Sequence, residues 1–200
     1  YNIGMKADIV VTEPIEIKLE NIDPAVLDAT GNVTPRYLNC NVGDYTLSSA
    51  SDLETMFITE TRLNLTCGNA TRNGKIVADH YIVTLTGAYS SNSVQFTFAE
   101  FITKDNSIAR VVSDDNAPAT VIVTNGTFVM EGDNPELVHY DDANYLYYVA
   151  HILRGTFYNW NPNEADESYY TIDHIATALT DEDGNVIENA WIVDHVYDVV

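Results

Sequence analysis

The feature that most constrains this chain is a two-residue alternation of apolar and polar side chains. It is cleanest at the start. Over residues 1–12 every odd position is apolar: Tyr1, Ile3, Met5, Ala7, Ile9 and Val11. Most even positions are polar or glycine: Asn2, Gly4, Lys6, Asp8 and Thr12. Successive side chains of a strand point to opposite faces, so this segment carries one continuous apolar face. A helix would need a period of 3.6, which is not present. Glu13-Pro14 then interrupts the pattern, because proline cannot donate to a β-ladder. Alternation resumes at Ile15, Ile17 and Leu19, opposed by Glu16, Lys18 and Glu20.

The same period, enriched in Thr, Val, Ile, Tyr and Phe, runs through the chain. It predicts strands at Ile15–Glu20, Thr55–Cys67, Lys75–Tyr89, Val94–Thr103, Ala119–Thr124, Thr127–Glu131, Tyr145–Trp160, Tyr169–Thr180 and Val186–Val200. Turn chemistry separates them at Asn73-Gly74, Asn125-Gly126, Asp133-Asn134-Pro135 and Asp183-Gly184. Asn125-Gly126 between two β-rich runs predicts a hairpin. Helix signals are confined to one turn near Asp23-Pro24 and an aromatic-rich alternative over Tyr145–Leu153. No repeat or linker is evident. The expectation is therefore all-β: a jelly-roll-like antiparallel β-sandwich over residues 14–200, preceded by an extended N-terminal strand over residues 1–13.

Hydrophobic residues make up 46% of the 200, enough for a substantial core, while 9 basic against 30 acidic residues leave a formal charge of −21. Such a surface repels nucleic acid and anionic membranes, and it repels copies of itself. No apolar run approaches the ~20 residues a membrane-spanning helix needs. The chain opens at Tyr1, as a mature secreted form would after its signal peptide is removed. Extracellular placement also follows from four N-glycosylation sequons, at Asn32, Asn64, Asn69 and Asn125. Cys40 and Cys67 are expected to form a disulfide in that compartment; two separate buried thiols are the alternative.

Carboxylate-rich loops suggest Ca²⁺, which takes hard oxygen ligands in flexible geometry. The sharpest pattern is Asp181, Asp183, Asn185 and Glu188 around Gly184; Asp133, Asp141 and Asp142 lie in further acidic clusters. It is not an EF-hand, because the glycine comes too early and no helices flank it. The competing reading is a polar hairpin turn. Catalytic signatures are lacking. Asp79-His80, Asp173-His174 and Asp194-His195 are neighbours in predicted strands and point to opposite faces, so they are not dyads. Neither a HExxH nor a GxSxG pattern occurs, and no small-molecule substrate is expected.

Residues 1–12 have two readings. They form the first strand of their own domain, or they leave it and fill a groove in another copy, with Tyr1, Ile3, Met5, Ala7, Ile9 and Val11 as the inserted side chains. The stretch from Gly4 to Ile17, with Ala7 and Val11-Thr12-Glu13-Pro14-Ile15-Glu16-Ile17 at its centre, resembles the mature N-terminus of archaeal cannula subunits, within the broader group of archaeal thread and bundling-pilus subunits and TasA/camelysin-like fibre proteins. The resemblance implies a jelly-roll subunit, donor-strand polymerisation with copies of itself, and Ca²⁺ at subunit interfaces. The expected function is a non-enzymatic structural subunit of an extracellular filament or tubule. A secreted module binding glycans or a surface partner is the alternative, and a secreted glycoside hydrolase a more distant one.

Overall fold

The computed structural model describes residues 8–18, 36–40, 46–69, 72–86, 92–112, 119–141 and 150–194. Extended sequence becomes short strands that pass repeatedly through three sheets. Sheet 1 contains β1 (Ile9–Val11), β4 (Thr46–Ser49), β8 (Lys75–Ala78), β11 (Glu100–Thr103), β14 (Thr127–Met130) and β17 (Gly155–Tyr158), closed by β20 (Val186–Val193) and β19 (Thr177–Thr180). Sheet 2 contains β2 (Ile15–Ile17), β5 (Thr55–Thr59), β9 (Tyr81–Leu85), β12 (Ser107–Val111) and β15 (Glu136–Tyr140). Sheet 3 contains β3 (Arg36–Cys40), β6 (Arg62–Asn69), β10 (Ser93–Thr97), β13 (Thr120–Val123), β16 (Ala150–Ile152) and β18 (Tyr170–Ile172), with the short β7 (Arg72–Asn73) paired to β6. The chain visits sheets 1, 2 and 3 in turn and then begins the next rung. Neighbours within a sheet are parallel, apart from the β6–β7, β17–β20 and β19–β20 pairs.

This is a parallel β-solenoid, and it overturns the expected antiparallel jelly-roll sandwich, together with the fold implied by the N-terminal resemblance. Alternation of period two is the same for either pairing, so it carries no information on strand direction. The direction is set by where the chain returns. Phe101 pairs with Ile76, 25 residues earlier, and Phe96 with Leu65, 31 residues earlier. The uneven return distance hides the repeat from a fixed-period reading of the sequence.

The long predicted strands are pairs of short ones that turn a corner. Val94–Thr103 divides into β10 and β11 at Phe98, whose φ is 46°. Lys75–Tyr89 divides into β8 and β9 at Asp79-His80. Asn125-Gly126 is likewise a corner from β13 in sheet 3 to β14 in sheet 1. Gly126 has φ +123°, and a Cβ there would approach the Ala99 carbonyl oxygen at 3.1 Å, so the position demands glycine. Asp183-Gly184 does join antiparallel strands, β19 and β20.

Inward side chains stack in columns along the axis. In sheet 1 the registered column runs Ile9, Leu47, Ile76, Phe101, Phe128, Phe157 and Trp191. The Phe101–Phe128 and Phe128–Phe157 rings stack at 5.1 and 5.2 Å between centroids, and Phe96 of sheet 3 meets Phe101 edge-on at 4.9 Å. Columns from the other sheets, such as Phe57, Val83, Ala109 and Val138, close the core. Each rung thus buries its apolar face against the next, which is the energetic logic of repeat stacking.

Candidate functional site: the outer face of sheet 1

The segment at residues 9–11 keeps the predicted phase. Val11 is buried, Val10 faces out, and Ile9 packs against the core. These residues form β1, the first strand of sheet 1, parallel to β4, and Asp8 Oδ1 accepts a 3.0 Å hydrogen bond from the Thr46 amide. The part of the predicted donor strand that is described therefore pairs within its own chain. Tyr1, Ile3, Met5 and Ala7 lie outside the described residues.

The predicted metal ligands are not brought together. Asp181 Oδ1 accepts from the backbone amides of Asp183 and Asn185 at 3.0 and 2.8 Å, and Oδ2 from the Asn185 amide group at 3.1 Å. These bonds, with that from the Asn185 side chain foremost, hold the Asp181 carboxyl below its ordinary range. The aspartate organises its own hairpin turn. Asp183, Asn185 and Glu188 are exposed around it, and Asp133 is exposed in the β14–β15 turn. Asp141 is taken by Arg110, whose Nε and Nη2 each donate to it at 2.8 Å. Asp142 is outside the described residues. Among the described residues no group of three His, Cys, Asp or Glu side chains is arranged to hold a metal ion.

Of the sequons, Asn64 sits on β6 and Asn125 at the β13–β14 corner, where its Oδ1 accepts from the Gly126 amide at 2.8 Å. Asn69 ends β6, and Asn32 is outside the described residues. Cys40 and Cys67 are register partners on the adjacent strands β3 and β6.

Two arrangements were missed in the sequence. The first is an ionic cluster on the outer face of sheet 2. Arg110 is bound bidentately to Asp141, pairs with Glu54 at 2.6 Å, and lies over the Tyr81 ring at 5.7 Å. His139 stacks on Tyr81 at 6.2 Å and meets Glu136 through Nδ1 at 2.9 Å. Because the guanidinium is already paired with two carboxylates, this cluster is a clamp between rungs rather than an open anion site. Its members are scattered from position 54 to 141 and converge only through the parallel register.

The second is the outer face of sheet 1. One outward position per rung aligns into a row: Val10, Ser48, Val77, Ile102, Val129 and Tyr158. Five of the six are apolar or aromatic; Val10 is 57% exposed and the other five are half-buried. The next outward row reads Thr46, Lys75, Glu100, Thr127 and Thr156. Lys75 and Glu100 form a 2.9 Å ion pair, and the exposed Asp8 continues this row beside Thr46 at the β1 rung. On a chain of net charge −21 these two rows carry a single uncompensated charge, that of Asp8 at the β1 end. The sequence did hold a signal. Ile76-Val77-Ala78, Phe101-Ile102 and Phe128-Val129-Met130 have apolar residues at successive positions, so both faces of the strand are non-polar there.

No described helix is long and apolar enough to cross a membrane. Comparison of the chain with protein-family models, with characterised proteins and with solved structures gives no match.

Proposed function

We propose that the chain is a structural subunit that associates with copies of itself into an extracellular filament or tubule. The observation that supports this is the apolar row of sheet 1, laid along the solenoid on an otherwise strongly acidic molecule. Aligned apolar side chains on one face of a stiff ladder gain from being covered, at roughly 25 cal/mol per Å² of apolar surface removed from water. Copies can meet there without like-charge contact, whereas approach over the carboxylates of sheet 2 is repulsive. Donor-strand insertion into a sandwich groove has no counterpart in this fold, so association is assigned to solenoid faces and rung edges instead.

Calcium enters this reading as a bridge between copies. With no three-ligand group within the described part of one chain, the cation would be held where acidic loops of two copies approach, and it would lower their repulsion.

The test is size-exclusion chromatography with light scattering, paired with negative-stain images, with and without millimolar Ca²⁺. The expected result is concentration-dependent association, with filaments or tubes favoured by Ca²⁺. A monomer at every concentration and in both conditions overturns the proposal.

A further inference from the structure

We infer that the partner covering sheet 1 is a second copy lying antiparallel to the first, related by a two-fold axis parallel to the strands and passing between β8 and β11. The inference rests on the self-association proposed above and adds its symmetry and its ion pairs. Rotation about such an axis preserves position along a strand and reverses the order of rungs. Rung β8 then faces β11, β4 faces β14, and β1 faces β17.

The residues on these rungs suit that operation. Val77 faces the partner's Ile102, Ser48 faces the partner's Val129, and Val10 faces the partner's Tyr158, so the apolar row meets itself along its length. In the neighbouring row Lys75 faces the partner's Glu100, and Glu100 faces the partner's Lys75. Thr46 faces the partner's Thr127. Lys75 is half exposed and Glu100 a third exposed, so their ion pair lies at the surface, where each can exchange its partner for the matching group of a facing chain. An isologous contact requires a patch complementary to itself, and one acid and one base placed symmetrically about the axis provide that. The charge pattern therefore selects a second copy over an unrelated apolar partner.

Three variants read this out. Lys75→Glu places acid against acid at both pairs, and Glu100→Lys places base against base. Each alone should weaken the dimer by tenfold or more, read by light scattering and native mass spectrometry. An equimolar mixture of the two should recover a heterodimer, because acid then faces base at both pairs. Within each variant chain positions 75 and 100 remain like-charged, so recovery reports on pairing between chains only. Ile102→Asp should abolish the dimer and resist rescue by mixing. Circular dichroism matching that of the unaltered chain confirms that these outward substitutions leave the fold intact. If the two charge variants dimerise normally, or their mixture stays monomeric, this interface is overturned. If the unaltered chain assembles and Ile102→Asp assembles equally, the interface alone falls and association runs through another surface. If the unaltered chain never associates, the underlying reading falls with it.

Discussion

Cys40 and Cys67 stand opposite one another in adjacent parallel strands. Neighbouring strands lie ~4.8 Å apart, inside the Cα separation a disulfide accepts. Their separation along the chain said only that a loop could be closed; the register of β3 and β6 makes it a link between rungs. In an oxidising compartment we expect the isolated chain to lack two hydrogens by intact mass, with reductant restoring them. Replacing both residues by serine should lower stability by about 3.5 kcal/mol in the chain-entropy picture. A dithiol mass from protein purified without reductant would sink this prediction. Arg110 makes a second prediction at this scale. Its hydrogen bonds hold the Asp141 carboxyl below the ordinary carboxylate range, against a smaller opposing effect of burial. A depressed folded-state value means the pair stabilises above the unfolded value near pH 4 and loses that contribution as pH falls through the folded value. Both side chains keep roughly a quarter to a third of their exposure, which limits the pair's worth. Arg110→Met should therefore cost about 1–2 kcal/mol at pH 7, with the gap to the unaltered chain narrowing below about pH 4 in urea titrations.

At the scale of elements, strand existence was legible and strand partnership was not. Alternation marked Ile15–Ile17, Lys75–Ala78 and Thr127–Met130 as extended, because one face of each is buried. The hairpin expected at Asn125-Gly126 failed because Asn-Gly supplies a positive-φ turn, and a solenoid corner uses that turn as readily as a hairpin does. The end of sheet 2 was also illegible, since it depends on a side chain 32 residues away. β15 is the last strand of sheet 2 among the described residues, and its outer edge needs partners. The Tyr170 hydroxyl supplies them: the Val138 amide donates to it at 3.1 Å, and it donates to the Val138 carbonyl at 3.4 Å. Burial pushes the phenol well above its ordinary value, so it stays protonated and able to donate. Packing against Trp160, 5.4 Å between ring centroids, holds the ring in place. Tyr170→Phe preserves the ring and removes the cap, leaving a backbone N–H and C=O unpaired. We expect a loss of about 1–3 kcal/mol and faster hydrogen exchange at the Val138 amide, with distant amides such as Phe101 unchanged. Uniform acceleration across all rungs would instead mean that the residue supports global stability only.

At the scale of the whole molecule the two ends differ. Tyr170, the Pro162–Glu164 3₁₀ turn and the β19–β20 hairpin occupy the C-terminal end. At the N-terminal end β1, β2 and β3 are the last strands of their sheets among the described residues. In the antiparallel pair inferred above, those N-terminal edges lie at opposite ends of the dimer. A two-fold contact closes on itself, so a filament needs a second contact, and exposed strand edges are ready templates for one. Under the association proposed above, edge-to-edge joining of N-terminal rungs, alternating with face-to-face pairing through sheet 1, would make a linear polymer from two closed contacts. Residues 1–7 precede β1 in sequence with the same alternation, apolar at Tyr1, Ile3, Met5 and Ala7, and the proposed joint is tested by removing them. Deleting them spares Val11 and the core column through Ile9, so the solenoid and its sheet 1 dimer should persist while filaments shorten to dimers in negative stain. Chelation should act differently. At −21 per copy the joint is opposed by repulsion that reaches only ~8 Å at physiological ionic strength. Chelator at low salt should therefore depolymerise the unaltered chain, and added monovalent salt should partly restore it. The truncated chain should recover filaments under neither condition. Filaments of unchanged length after the deletion would move the axial contact away from the N-terminal rung.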